Sequence, residues 1–114
     1  MVMRNASGYA VKGQTATNLV GVGRANAYAA NTGSAGDVSV DVMPGVFLFA
    51  NSASTDQITI ADIGKPAWAV DDQTVAKTNG SNARSIAGFI EDVDSAGVWV
   101  RFDEVAARTY VLTA

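Results

Sequence analysis

Apolar side chains recur at every second position in two segments of this chain. In residues 38–42 three valines alternate with Ser39 and Asp41. In residues 98–102 two valines and a phenylalanine alternate with Trp99 and Arg101. Successive side chains of an extended strand point to opposite faces, so this period of two predicts strands with one buried face. The six residues that we therefore expect to be buried are Val38, Val40, Val42, Val98, Val100 and Phe102.

A continuous apolar run, residues 46–49, follows a break at Pro44 and Gly45. Proline cannot donate to a strand ladder and glycine accepts a positive φ, so the break predicts a turn. The run itself is apolar on both sides and predicts a strand that is buried on both faces. Further short strands are predicted over residues 9–11, 20–27, 68–70, 86–93 and 110–112.

Helical periodicity is scarce. Residues 59–64 fit a single turn that is capped by Thr59 and ended by Gly64, and residues 103–108 fit a second turn. We expect no helix longer than about two turns, because no segment sustains an apolar period of 3.6 residues. Many short strands separated by Gly, Asn and Ser predict a single all-β domain over residues 1–114, built as a small barrel or sandwich.

Three short blocks occur twice in the same order. Tyr9-Ala10-Val11 with Gln14-Thr15 is matched by Trp68-Ala69-Val70 with Gln73-Thr74, and Gly21 and Ser34-Ala35-Gly36 are matched by Gly88 and Ser95-Ala96-Gly97. One supersecondary unit used twice usually shares one core. The blocks predict a pseudo-two-fold repeat with halves at about 8–42 and 67–102, in which Tyr9 is equivalent to Trp68 and Gly21 to Gly88. Residues 1–7 would form an N-terminal tail.

Composition excludes several classes of protein. Apolar residues make up 48% of the chain and charged residues only 17%, which is not the composition of a disordered acidic segment. The net charge is −3 and the cations are scattered singly, so we expect neither nucleic acid nor an anionic membrane as a partner. A weakly charged surface of small polar residues is common in proteins that assemble.

The chain contains no cysteine and no histidine. Disulfides, thiolate metal sites and nucleophile–base pairs that use these residues are therefore excluded. Serine and threonine are abundant, but no histidine or Ser-x-x-Lys spacing is present to activate them. We expect no enzymatic activity, no cofactor and no metal.

Two acidic segments are the remaining candidates for chemistry. Asp71 and Asp72 are adjacent, which on a strand places them on opposite faces, and a turn explains the pair better than catalysis. Residues 92–97 resemble part of a calcium loop, but Ala96 offers no side-chain oxygen at the fifth position and Asp103 stands at the twelfth. A hairpin turn is the better interpretation of this segment.

Aromatic residues offer an alternative function. An exposed group of them would suit a carbohydrate-binding or adhesive β-module, although aromatic residues of small β domains usually belong to the core. The candidates for such a sugar-stacking platform are Tyr28, Phe47, Phe49, Trp68 and Trp99.

Six motifs between residues 8 and 102 carry a resemblance to a known family. They are Gly8-Tyr9-Ala10-Val11, Ser34-Ala35-Gly36-Asp37, Pro44-Gly45-Val46-Phe47, Ala61-Asp62-Ile63-Gly64-Lys65, Val70-Asp71-Asp72-Gln73-Thr74-Val75 and Gly97-Val98-Trp99-Val100. Together they resemble the small structural proteins of tailed bacteriophages and prophages whose genes lie beside the major capsid gene. These proteins are generally taken to be capsid decoration, or head cement, proteins.

The resemblance implies a non-enzymatic virion protein, made in the bacterial host cytoplasm, that binds the outside of the matured head and stabilises it. Its partner would be the major capsid protein, and the family implies a homo-oligomer, with a trimer favoured over a dimer. The sequence adds a candidate contact, since Met1, Val2 and Met3 precede the first turn and belong to no strand of the repeat. We expect these exposed apolar residues, with Arg4, to face the capsid.

Overall fold

The computed structural model describes residues 1–25, 33–34, 36 and 38–113, and within these residues the fold is all-β with one short helix. The strands are β1 (Val2–Arg4), β2 (Ala10–Lys12), β3 (Val20–Ala25), β4 (Val42–Met43), β5 (Val46–Asn51), β6 (Pro66–Ala69), β7 (Thr74–Ala76), β8 (Ile86–Asp94) and β9 (Gly97–Arg101). Two 3₁₀ turns, Ser54–Asp56 and Ile60–Asp62, precede β6, and helix α1 (Glu104–Thr113) follows β9. The predicted all-β fold is therefore confirmed.

The strands form a four-stranded sheet and a closed barrel. The sheet has the order β2-β1-β3-β4, and the barrel has the order β5-β7-β6-β8-β9. All neighbours are antiparallel except β5 and β7, which are parallel. The sheet packs on the barrel where β3 crosses β8: a Cβ atom on Gly21 would lie only 1.9 Å from the carbonyl oxygen of Ala87. The absence of a side chain at Gly21 therefore sets the distance between the two layers.

The neighbour order of the sheet has the same form as the β7-β6-β8-β9 part of the barrel. Gly21 and Gly88 occupy the third strand of each set, where they pair with Met3 and Ala67. The sequence blocks do not follow this correspondence, because Tyr9 lies before β2 whereas Trp68 lies within β6. The expected equivalence of Tyr9 and Trp68 is wrong, and the internal repeat itself stays a prediction.

The main core fills the barrel and the space between it and the sheet. Its largest wholly buried side chains include Met3, Ile58 and Ile90, and Phe102 packs edge-on against Phe49 with ring centroids 5.6 Å apart. Val98 and Val100 are also fully buried, so half of the predicted core is confirmed. The other half is not: Val38 is 46% exposed and lies outside the strands, and Val40 and Val42 are only half-buried.

The N-terminal segment is a strand and not a tail. β1 lies between β2 and β3, with its backbone paired on both edges. Val2 is 7% exposed and Met3 is completely buried in the main core. The expectation that Val2 and Met3 are exposed is therefore wrong, because burying Met3 in the core stabilises the fold more than leaving it in water.

Helix α1 also departs from the sequence prediction. It has ten residues, which is about three turns, and it includes residues 110–112 that were predicted as a strand. The carboxylate of Asp103 begins the helix by accepting a hydrogen bond from the Ala106 amide at 3.0 Å. Ala107 is fully buried with Val20 and Ile86 in a second core cluster, so tertiary packing decides the conformation of this segment.

Candidate functional site

The outer face of the barrel exposes a row of apolar side chains along β5 and β9. In β5 the side chains alternate, and Phe49 points into the core whereas Val46 and Leu48 are 39% and 42% exposed. Leu48 pairs directly with Trp99 of β9, which is half-buried. The expectation that residues 46–49 are buried on both sides is thus wrong, because no element among the described residues covers the outside of this strand.

Charged and aromatic groups border this row on the side of β8. Arg101 pairs with Val46 on one side and with Phe89 on the other, and its guanidinium carbon lies 5.7 Å from the centroid of the Phe89 ring. Its Nε also lies 3.5 Å from Glu91 Oε1. We call the outward side chains of Val46, Leu48, Phe89, Trp99 and Arg101 the barrel face.

Helix α1 limits the barrel face at one end. The Tyr110 ring packs edge-on against Phe89 with centroids 6.4 Å apart, so Phe89 is covered while Val46 and Leu48 stay exposed. At the opposite end the hairpin between β8 and β9 fixes the Trp99 ring, because its Nε1–H donates to Asp94 Oδ2 at 3.0 Å. This hydrogen bond is the largest contribution that lowers the pKa of Asp94. The face therefore presents a fixed indole beside two aliphatic side chains.

The two acidic segments have structural roles. Asp94 Oδ1 accepts the Ala96 amide at 2.8 Å inside the β8–β9 hairpin, which confirms the interpretation of residues 92–97 as a turn. Asp71 Oδ1 accepts the Gln73 amide at 2.9 Å, and this bond is the largest contribution that lowers the pKa of Asp71. The turn interpretation of Asp71 is confirmed as well. Among the described residues, no three His, Cys, Asp or Glu side chains gather as a group that could hold a metal ion.

The first four residues are engaged within the fold. The amino group of Met1 donates to the carbonyl oxygen of Asp72 at 2.7 Å, and burial outweighs the nearby carboxylates to lower the pKa of this amino group. Arg4 Nε donates to Glu104 Oε2 at 2.8 Å and so ties β1 to α1. Burial alone would raise the pKa of Glu104, but the hydrogen bonds from Arg108 and Arg4 outweigh it and the pKa is lowered.

A hollow of about 1030 Å³ lies beside this ion pair. Its wall combines apolar side chains, such as Met3 and Phe102, with charged ones, such as Arg4 and Glu104. Of the four residues predicted as a capsid contact, Met3 and Arg4 line this hollow, and the barrel face is the surface that sequence reasoning missed. The alternation in β5 was the available signal, but an apolar run cannot show which of its faces lacks a cover.

The candidate sugar platform is not assembled on one surface. Phe49 is buried, Phe47 packs against Phe102 with centroids 6.3 Å apart, and Trp68 belongs to the margin of the second core cluster. Tyr28 lies outside the described residues. Trp99 alone of the four described candidates lies on the barrel face.

Comparisons with known proteins add no relative. No protein-family model matches the chain, and neither the curated proteins nor the solved structures contain a match. Within the part of the chain that the structure describes, no helix is long and apolar enough to cross a membrane.

Proposed function

We propose that this protein is a non-enzymatic structural protein of a tailed bacteriophage or prophage that binds the outside of the capsid lattice and stabilises the head. The observation that carries the proposal is the barrel face, where Val46, Leu48 and Trp99 form an apolar row on a paired and rigid part of the barrel. Apolar patches bordered by polar groups are typical of protein–protein contacts, and aromatic residues and arginine are enriched there.

The resemblance of residues 8 to 102 to decoration proteins supports the identity of the partner as the major capsid protein. Contact through β5 and β9 also suits the mechanical task. These strands pair along four consecutive positions, so a load on the face is distributed over the backbone hydrogen bonds of the barrel. Many copies on one shell add their separate contacts, and the total clamps adjacent capsid subunits even if each interface is modest.

The charges on the barrel face support a protein partner over nucleic acid or an anionic surface. Arg101 is its single cation, and Glu91 and Asp103 lie 3.5 and 3.9 Å from its guanidinium nitrogens. These carboxylates neutralise the cation locally, which leaves no excess of positive charge for phosphate groups. A homo-oligomer, with a trimer favoured, would present several equivalent barrel faces to a symmetric lattice.

The test is co-sedimentation with capsids that are built from the major capsid protein encoded beside this gene. The protein should pellet with expanded capsids and stay in the supernatant with unexpanded procapsids, because a matured lattice presents the completed surface. Failure to pellet with expanded capsids would contradict the proposal.

The alternative function, a carbohydrate-binding or adhesive module, has one favourable observation, the half-buried Trp99 on the barrel face. Measuring binding to a panel of glycans distinguishes the capsid-binding function from the carbohydrate-binding one. Glycan binding that is abolished by Trp99→Ala, together with absent capsid binding, would favour the alternative.

A further inference from the structure

A second cavity, of about 500 Å³, lies beside strand β6. Five parts of the chain meet there: the turn before β6, β6 itself, the residues that follow β7, strand β8 and helix α1. Its volume is within the range of small-molecule sites, about 300–1,000 Å³. The side chains of Asp62, Lys65, Trp68, Lys77 and Tyr110 line this hollow, which we call the lysine cavity.

A buried carboxylate forms part of the wall of the lysine cavity. Asp62 is 2% exposed, and its Oδ2 accepts the Thr59 amide at 2.9 Å, which fixes the orientation of the side chain. Its Oδ1 forms an ion pair with Lys65 Nζ at 3.8 Å, which is longer than a hydrogen bond and leaves this oxygen able to accept one. This oxygen is an acceptor at a fixed position, and a ligand must donate a hydrogen bond to use it.

The cavity has an excess of positive charge in a chain whose net charge is −3. Lys65 and Lys77 both line it, against the single carboxylate of Asp62. Lys77 follows directly after β7, whose last residue Ala76 pairs with Trp68. Together with the backbone hydrogen bond to Asp62, the charges of Lys77 and Lys65 lower the pKa of this carboxyl. The cavity therefore combines two groups that attract an anion with one that accepts a hydrogen bond.

Aromatic side chains supply the apolar part of the cavity. Trp68 is half-buried in the wall. Tyr110 is 39% exposed, and its ring is held by the edge-on contact with Phe89. A ligand with one apolar face can thus pack on an aromatic ring while its polar groups reach the lysines and Asp62.

We propose that the lysine cavity binds a small hydroxylated carboxylic acid with a ring, such as a uronic acid. The ligand carboxylate contacts Lys65 and Lys77, a ligand hydroxyl donates to Asp62 Oδ1, and the C–H face of the ring packs on Trp68. Asp62 balances only one of the two lysine charges, so a neutral sugar would leave an excess of one positive charge uncompensated, and a phosphate dianion would exceed it. This site adjoins the barrel face through the contact of Tyr110 with Phe89, but its side chains do not belong to that face, and the proposal does not depend on capsid binding.

Fluorescence can test the site specifically, because the chain has only two tryptophans. In a Trp99→Phe background the emission comes from Trp68 alone. Titration with glucuronate should change this emission saturably, whereas glucose and inorganic phosphate should not. Calorimetry on the unaltered chain should give the same affinity. Replacing Lys77 by Gln should weaken glucuronate binding about tenfold, since a charge-assisted contact is lost.

Lys12→Gln is the matched control. This substitution removes the same charge as Lys77→Gln, but Lys12 lies in β2 of the other sheet. It should leave the affinity unchanged. The proposal is overturned if glucuronate gives no saturable signal in both assays, if glucose or phosphate binds as tightly, or if Lys12→Gln and Lys77→Gln weaken binding equally. Far-ultraviolet spectra that match the unaltered chain establish that each variant is folded.

Discussion

Gly21 of the sheet lies directly against the backbone of Ala87 in the barrel. A Cβ atom at position 21 would stand 1.9 Å from the Ala87 carbonyl oxygen and 2.6 Å from its carbonyl carbon. These are backbone atoms of a paired strand, so they cannot move aside without disturbing β8. The contact between the two layers therefore requires glycine at this position.

We predict that Gly21→Ala destabilises the protein by about 3 kcal/mol or more, because the methyl group forces the sheet away from the barrel. Gly8→Ala is the matched control: its Cβ would meet no atom within 4 Å, and its φ of +90° adds only backbone strain. That variant should lose about 1 kcal/mol. Urea denaturation measures both, and equal losses would show that the layers do not meet at Gly21.

Met3 provides a test of the N-terminal strand. The side chain is completely buried in the main core, so Met3→Ala should cost about 2–5 kcal/mol in the free energy of unfolding. Met43→Ala removes the same atoms at a position that is 40% exposed, and it should change stability by no more than about 0.5 kcal/mol. Thermal or chemical unfolding compares the two. If the Met3→Ala variant is as stable as the Met43→Ala variant, the N-terminal segment is an exposed tail and its assignment as a buried strand is wrong.

The Asp62 carboxyl should make the free energy of unfolding depend on pH. The Thr59 amide hydrogen bond outweighs burial and lowers the pKa of the Asp62 carboxyl in the folded state. A carboxyl whose folded pKa is depressed stabilises the fold above its unfolded pKa, and this contribution is lost as the pH falls through the folded pKa. The stability difference between the unaltered chain and Asp62→Asn should therefore be full above about pH 5 and shrink below about pH 4.

Urea denaturation at several pH values, from above about pH 5 to below about pH 4, measures this difference. Asp41→Asn, at an exposed position, controls for the loss of one negative charge. A difference for Asp62→Asn that stays constant over the whole range would contradict the assigned role of the carboxylate.

The proposed assembly predicts the mass in solution. Three copies of the 11.7 kDa chain should be seen by light scattering at micromolar concentration. A trimer is expected because three equivalent barrel faces suit a symmetric capsid lattice. A mass equal to one chain at all accessible concentrations would eliminate the oligomer.

The sequence predicts strands well where one face is regularly apolar. The alternation at Val98, Val100 and Phe102 identifies β9 and its buried face correctly, because both sides of that strand have distinct environments. The valines at positions 38, 40 and 42 show the same period, but Val38 is exposed and only the last of them belongs to a strand. Periodicity reports what a strand could bury, and the tertiary fold decides whether a partner is present.

Other elements depend on contacts between distant residues. β1 has three residues, and its burial arises from pairing with β3 about twenty residues away, which no local pattern encodes. Helix α1 contains Thr109, Tyr110 and Val111, residues that favour strands, yet it packs on β3 and β8 through Ala107. The lysine cavity joins Lys65 and Lys77 through the pairing of β6 with β7, so their spacing forms no recognisable motif.

The central claim is that the barrel face binds the capsid, and co-sedimentation of two matched variants with expanded capsids tests it most directly. Leu48→Lys places a charge in the centre of the face, whereas Val105→Lys places the same charge on helix α1, where Val105 is 75% exposed. Leu48→Lys should weaken capsid binding at least about tenfold without loss of stability, since burying an unpaired charge at an interface is costly. Val105→Lys should bind like the unaltered protein. Undiminished binding by Leu48→Lys would contradict the account.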